Sequence, residues 1–224
     1  MNPERMPKPP ADPWPTVKYL TRSVARTLSL LARRRVHLPG RNVGRRLPFT
    51  DGTAAVVFRE TVVDRGPTRR PTVLLVRFRL LRVRGRGHAL FRAESILNTP
   101  LFVGFPGYVS KLWLANDENG IYRGIYEWDG AVRAENYART LWRVLALVCV
   151  PGSIRYQVLP GIRRDEFLAN PVRATDAGAP APRSPADAWW LPAQPVVAVR
   201  GAVRGAGRGA GRGTGRGTGR GPKR

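Results

Sequence analysis

Between residues 72 and 161 the spacing of hydrophobic positions switches repeatedly between the two-residue step of a strand and the three- to four-residue step of a helix. Residues 72–83 (TVLLVRFRLLRV) are rich in β-branched and aromatic types, lack Gly and Pro and follow Pro71 directly, which predicts a first core strand. Gly85 and Gly87 end it. Residues 88–98 (HALFRAESILN) place Leu90, Phe91, Glu94 and Leu97 along one helical side before Pro100 stops the run. After a loop over 101–107, residues 108–115 (YVSKLWLA) and 121–128 (IYRGIYEW) read as strands joined by the turn NDENG, hence a hairpin. A second helix follows over 131–148, with Tyr137, Leu141, Leu145 and Val148 on one side and Asp129-Gly130 as its N-terminal cap. Pro151-Gly152 end that helix, and residues 153–159 (SIRYQVL) form the last strand. Strand, helix, hairpin, helix, strand is the order of an α+β fold, a ferredoxin-like βαββαβ antiparallel sheet with two helices on one face. Residues 54–63 (AAVVFRETVV) add an edge strand.

Side-chain parity divides the sheet. Leu74, Val76, Phe78, Leu80, Leu112, Leu114, Tyr122, Tyr126, Trp128, Ile154, Tyr156 and Val158 stand at even positions, and this apolar face is expected to carry the helices. Arg77, Arg79, Lys111, Trp113, Arg123, Glu127, Arg155 and Gln157 stand at odd positions, which makes the reverse face strongly basic wherever no bulge shifts the register. Such a face is either solvated or turned toward a symmetry mate.

The flanks carry different patterns. Val17, Leu20, Val24, Leu28 and Leu31 recur at helical steps among Lys18, Arg22, Arg26 and Arg33 to Arg35, which predicts a basic amphipathic helix between Pro15 and the Pro39-Gly40 stop. Its apolar stripe packs on the core, or lies on an anionic membrane or on nucleic acid. At the other end Arg200, Arg204, Arg208, Arg212, Arg216 and Arg220 recur every four residues with Gly after each, a composition too poor in apolar surface to fold, so a disordered tail is expected. Residues 171–195, rich in Ala and Pro, read as a solvated linker, with docking of Trp189 and Trp190 as the alternative. The resulting division is a basic N-terminal extension over 1–50, an edge strand and linker over 51–71, the α+β domain over 72–161, an Ala/Pro-rich linker over 162–199 and the Arg-Gly tail over 200–224.

Charge sharpens this division. The 224 residues hold 39 Lys+Arg against 15 Asp+Glu, a net charge of +24, which favours anionic partners. Residues 1–50 carry eleven basic and two acidic groups, and residues 200–224 carry eight basic groups and no acid. The excess is therefore concentrated at the ends. One cysteine, Cys149, permits no internal disulfide and fits a reducing, cytoplasmic location. With only His37 and His88 beside it, no zinc-like cluster can be assembled, and no metal or cofactor is expected. No P-loop, GxSxG elbow or HExxH motif occurs, and Gly85-Arg86-Gly87 lacks the third glycine of a dinucleotide loop.

The segments Phe105-Pro106-Gly107-Tyr108-Val109-Ser110-Lys111-Leu112-Trp113 and Gly120-Ile121-Tyr122-Arg123-Gly124-Ile125-Tyr126-Glu127-Trp128, with their PG, SK.W and G.Y.W order, resemble the YdhR-like monooxygenases of the dimeric α+β barrel superfamily. The likeness covers residues 72–161. It implies a homodimer formed through the sheet faces and, between sheet and helices, either oxidation of a small aromatic substrate without metal or flavin or the binding of a small aromatic or anionic molecule.

On that reading the pocket walls come from Phe91, Leu97, Tyr122, Tyr126, Trp128, Tyr137 and Trp142, residues that would equally serve as ordinary core. His88, Glu94 and Lys111 are the candidate catalytic groups. His88 has an unperturbed pKa near neutrality and suits a general base, although a histidine at a helix start is also unremarkable. The alternative function is non-enzymatic: binding of RNA, DNA or an anionic surface through Arg200, Arg204, Arg208, Arg212, Arg216 and Arg220, aided by the N-terminal helix, with peripheral membrane contact as a further option.

Overall fold

The computed structural model describes residues 13–83, 85, 87–94, 102–176 and 181–193. The strands are β1 (Val36–His37), β2 (Arg46–Pro48), β3 (Ala54–Val63), β4 (Pro71–Arg79), β5 (Tyr108–Leu114), β6 (Ile121–Asp129) and β7 (Arg155–Pro160). The helices are α1 (Pro13–Ala32), α2 (Gly87–Glu94), α3 (Ala131–Ala146), α4 (Arg164–Ala169) and α5 (Arg173–Asp176). All seven strands pair antiparallel in the order β1-β3-β5-β6-β4-β7, with β2 on β3. The succession β4, α2, the β5–β6 hairpin, α3, β7 is the one that the hydrophobic spacing predicts. β3 lies inside the sheet for part of its length, flanked by β5 on one side and by β1 and β2 on the other.

One face of the sheet packs under α2 and α3 through Leu74, Val76, Tyr122, Tyr126, Trp128 and Tyr156, against Phe91 of α2 and Ala134, Tyr137, Ala138 and Leu141 of α3. α3 stops at Ala146, so Val148 is exposed and does not reach this layer. Gly130, at φ 110°, precedes α3, and no side chain caps the helix there. α1 packs differently from its apolar stripe. Over residues 20–32 Ser23 and Thr27 are the fully buried positions, seated on Gly104, where an added Cβ would lie 1.9 Å from the Ser23 carbonyl oxygen; Leu20 packs partly on the core, while Leu28 and Leu31 remain exposed. A close backbone approach at a glycine decides that orientation.

The reverse face departs most from the expectation. It is a second core, not an open basic surface. Leu47 and Phe49 around β2, Val73 and Leu75 of β4, Ile125 of β6, Phe167 and Leu168 of α4, and Trp189 and Trp190 pack there together. The Ala/Pro-rich stretch is thus no solvated linker across residues 162–176 and 181–193, since Ile162, Phe167, Leu168, Ala174, Trp189 and Trp190 are all buried. The sheet face that the likeness assigns to a symmetry mate is occupied by this chain itself.

Arg123 of β6 and Arg164 of α4 tolerate this burial because carboxylates meet them. Arg123, 3 % exposed, donates to Asp117 at 2.6 Å, to Asp51 and Thr53 at 2.8 Å, and to the Trp189 carbonyl at 3.4 Å. Arg164 donates to Glu60 at 2.6 Å and Ser110 at 3.0 Å, and its backbone N–H donates to Glu127. Charge-assisted arginine–carboxylate bonds of this kind offset the desolvation of both partners. Arg79 and Arg155, further along, stay exposed.

Removing the Trp189 side chain should therefore open a cavity in the second core. Trp189→Ala is expected to lower unfolding free energy by about 3–5 kcal/mol in urea titration of the full chain, the usual cost of truncating a buried aromatic. A change close to zero would restore the solvated-linker reading.

Candidate functional site

Two irregularities in the sheet bring the chemistry-bearing residues together. In the β5–β6 ladder Tyr108 faces Trp128 but Ser110 faces Glu127, so Val109 is extra and β5 reverses its parity from there onward. Lys111 then faces Tyr126, and Trp113 faces Gly124, which turns both beneath the helices and sends Leu112 and Leu114 to the reverse side. A shift beside Phe58 in the β3–β5 ladder places Arg59 opposite Trp113 on the same face. The expectation that Lys111 and Trp113 belong to the basic side, with Leu112 and Leu114 under the helices, is overturned by this one-residue slip.

A recess of about 30 Å³ lies where these residues meet, lined by Phe58, Phe91, Lys111, Trp113, Tyr122 and Tyr126, with Gly124 in its floor. That space accommodates roughly two water molecules. The Lys111 Nζ stands 3.0 Å from the Trp113 ring centroid, 4.6 Å from that of Tyr126 and 5.4 Å from that of Phe102. Arg59 sits over Trp113 with its guanidinium carbon 4.0 Å from the ring centroid. Among the described residues, no carboxylate reaches Lys111 within ion-pair distance and no group hydrogen-bonds its Nζ. Lys111 is 5 % exposed.

The electrostatics follow from this seclusion. Burial, reinforced by the Arg59 guanidinium, holds the Lys111 amine well below the ordinary lysine range. Arg59 itself is pulled down to about 10 by burial, an effect that Tyr108 partly opposes. Burial raises the phenols of Tyr126 and Tyr137 above the ordinary tyrosine range, and the Tyr137 hydroxyl donates to that of Tyr126 at 3.3 Å. Both remain neutral hydroxyls.

The predicted site residues separate into distinct groups. Phe91, Lys111, Tyr122 and Tyr126 converge on the recess. His88 stands behind it, with Nδ1 2.8 Å from the Tyr122 hydroxyl, and so supports a wall rather than entering the space. Trp128 and Tyr137 are wholly buried and pack at 4.7 Å between centroids, as core. Trp142 packs edge-on against Tyr156, away from the recess. Glu94 is the last residue of α2. Leu97 and the six tail arginines, Arg200 to Arg220, lie outside the described residues. The sequence reading missed Phe58, Arg59, Trp113 and Gly124. Gly124 carried a usable signal: a glycine inside a strand marks a close approach, and a Cβ there would come within 2.8 Å of the Tyr126 ring.

Among the described residues there is no group of three or more His, Cys, Asp or Glu side chains placed to hold a metal ion. Burial pushes the Cys149 thiol up to about 12, which leaves no thiolate for nucleophilic chemistry at neutral pH. No helix among the described residues is long and apolar enough to cross a membrane. No family model, curated protein or solved structure matches this chain.

The unpaired amine has a stability signature with a definite sign. A lysine depressed in the folded state binds a proton more weakly there than in the unfolded chain, so stability rises with pH from its folded pKa up to the ordinary value of about 10.4. Lys111→Met removes this penalty and preserves an unbranched apolar stem. The variant should be more stable than the parent at pH 7 by about 1–3 kcal/mol. Denaturant titrations across the pH range should show the advantage shrinking toward pH 10 and vanishing above it; a constant or growing advantage would contradict the placement of the amine.

Proposed function

We propose that this chain is a small-molecule-binding protein whose ligand is a planar, unsaturated compound held in the recess between the sheet and α2 and α3. The reading is carried by one observation: aromatic faces and a single buried amine without an anionic partner converge on unfilled space. Concave, apolar sites with few polar groups are the usual setting for small ligands. The strand order β5-β6-β4-β7, with α2 and α3 as the intervening helices, supports a ferredoxin-like framework and with it the likeness to YdhR-like proteins. The site needs only one protomer, so it does not depend on the sheet-to-sheet dimer implied by that likeness.

Size bounds the ligand. The space as it stands fits two or three heavy atoms, and a single aromatic ring requires Phe91 to move. Phe91 is only partly buried on an eight-residue helix and packs edge-on against Tyr122 at 4.9 Å, which makes it the most readily displaced wall. His88 keeps the Tyr122 hydroxyl in place while that movement occurs.

Saturation-transfer NMR on the full chain with phenol, catechol and benzoate tests the reading. At least one should receive saturation from the protein, and the signal should disappear in Gly124→Ala, whose new methyl displaces the Tyr126 ring into the space. Equal signals from a folded Gly124→Ala variant, or none from the parent, would overturn the pocket.

A further inference from the structure

This chain almost always supplies positive charge as arginine. Lysine stands at only four positions, Lys8, Lys18, Lys111 and Lys223, against 35 arginines. Arginine cannot be deprotonated in a protein, whereas a lysine amine can give up its proton once water is excluded. Two of these lysines lie among the described residues: Lys18 stands in α1, and Lys111 occupies a buried position with aromatic rings on its flanks and no anion in reach. Where only charge is required, as at Arg123 and Arg164, the chain uses arginine and surrounds it with carboxylates. A lysine left without a carboxylate is suited to a different task.

We propose that Lys111 captures a small aldehyde or ketone covalently, as an imine, inside the recess. The proposal rests on the reading of that recess as a ligand site. In the step, the Nζ lone pair attacks the carbonyl carbon and the carbonyl π electrons move to oxygen. A proton passes from nitrogen to that oxygen, giving a carbinolamine. A water molecule gives a proton to the hydroxyl, which leaves as water while the nitrogen lone pair closes the C=N bond, and the hydroxide left by that donor takes the remaining N–H proton to give the neutral imine. One amine and one carbonyl thus yield one imine and one water, with no oxidant or reductant.

The surroundings favour each part of this balance. A neutral amine is the nucleophile, and both burial and the like charge of Arg59 oppose its protonation. Arg59 on β3 is the charged group beside it; the titratable groups facing it from β6 and α3 are the neutral phenols of Tyr126 and Tyr137. The volume of about 30 Å³ suits a carbonyl compound of two or three heavy atoms, and the Trp113 and Tyr126 rings present π faces to the planar C=N unit.

Reductive trapping tests the proposal on the unaltered full chain. The protein is incubated at pH 7 with acetaldehyde and cyanoborohydride, and ethylation of each lysine is followed by peptide mapping. Lys111 should be modified on the order of tenfold faster than Lys8, Lys18 and Lys223, because burial and the neighbouring Arg59 charge leave a larger fraction of it as the free amine. Modification of Lys111 no faster than the other three, or none, overturns the proposal. The pocket reading is separated by saturation-transfer NMR with acetaldehyde, without reductant. A bound signal without a Lys111 adduct removes only the imine, and loss of both removes the pocket as well.

Discussion

One surplus residue in β5 governs the interior of this protein. Because strand side chains alternate, an extra residue between Tyr108 and Ser110 exchanges the two faces for all that follows, carrying Lys111 and Trp113 under the helices and Leu112 and Leu114 to the other side. Neither face would accept the uninterrupted register. Leu112 and Leu114 pack among Val57, Ile125 and Phe167 in the second core, where a lysine and a tryptophan would have to replace them. The bulge satisfies that core and, as its consequence, places an amine among aromatic rings on the opposite side.

The two faces handle buried charge in opposite ways, and the contrast identifies which charges are structural. On the reverse side Arg123 and Arg164 meet Asp51, Asp117 and Glu60 at 2.6–2.8 Å, and these pairs tie segments distant in sequence to the sheet: the Asp51 turn to β6, and α4 to β3. The Arg123 bond to the Trp189 carbonyl adds the C-terminal segment to the same knot. Such pairs fix a unique arrangement even where their net contribution to stability is small. Beneath the helices Lys111 and Arg59 both stand against the Trp113 ring. A ring face attracts a cation weakly compared with a carboxylate, and burial, with the Arg59 charge beside it, weakens the hold of the Lys111 amine on its proton.

The framework was legible in the sequence because its signals are local. Strand β4 starts at Pro71, the Asp117 carboxylate organises the turn to β6 by accepting from the backbone of Asn119 and Ile121, and α3 follows Asp129-Gly130 as its spacing requires. What escaped was long-range. The near-continuous apolar run from Val73 to Val76 was itself a sign that β4 is covered on both faces, yet parity was used to assign only one. Nothing in an Ala/Pro-rich composition reveals that Trp189 and Trp190 find a hydrophobic surface to cover, since that depends on β2 and α4 arriving beside it. The recess was half legible: Phe91, Lys111, Tyr122 and Tyr126 were named, but Lys111 for the wrong face, because a β-bulge leaves no reliable mark in a single sequence.

Local rules are broken together at one place. A glycine interrupts β6 at residue 124, a bulge interrupts β5, a lysine is buried without an anion, and Arg59 is driven into the same layer. Each departure is unfavourable alone, and a sequence shaped only for packing would remove them independently: an alanine, a regular strand, a methionine. They are not independent here. Gly124 lets the Tyr126 ring lie against the strand, the bulge turns Lys111 and Trp113 toward that ring, and burial together with Arg59 weakens the amine's hold on its proton. Conflicts with local preference that reinforce one another around a single space are the pattern expected where stability has been given up for a site. The carboxylates gathered around Arg123 and Arg164 on the reverse face show that the same chain pairs buried charge elsewhere.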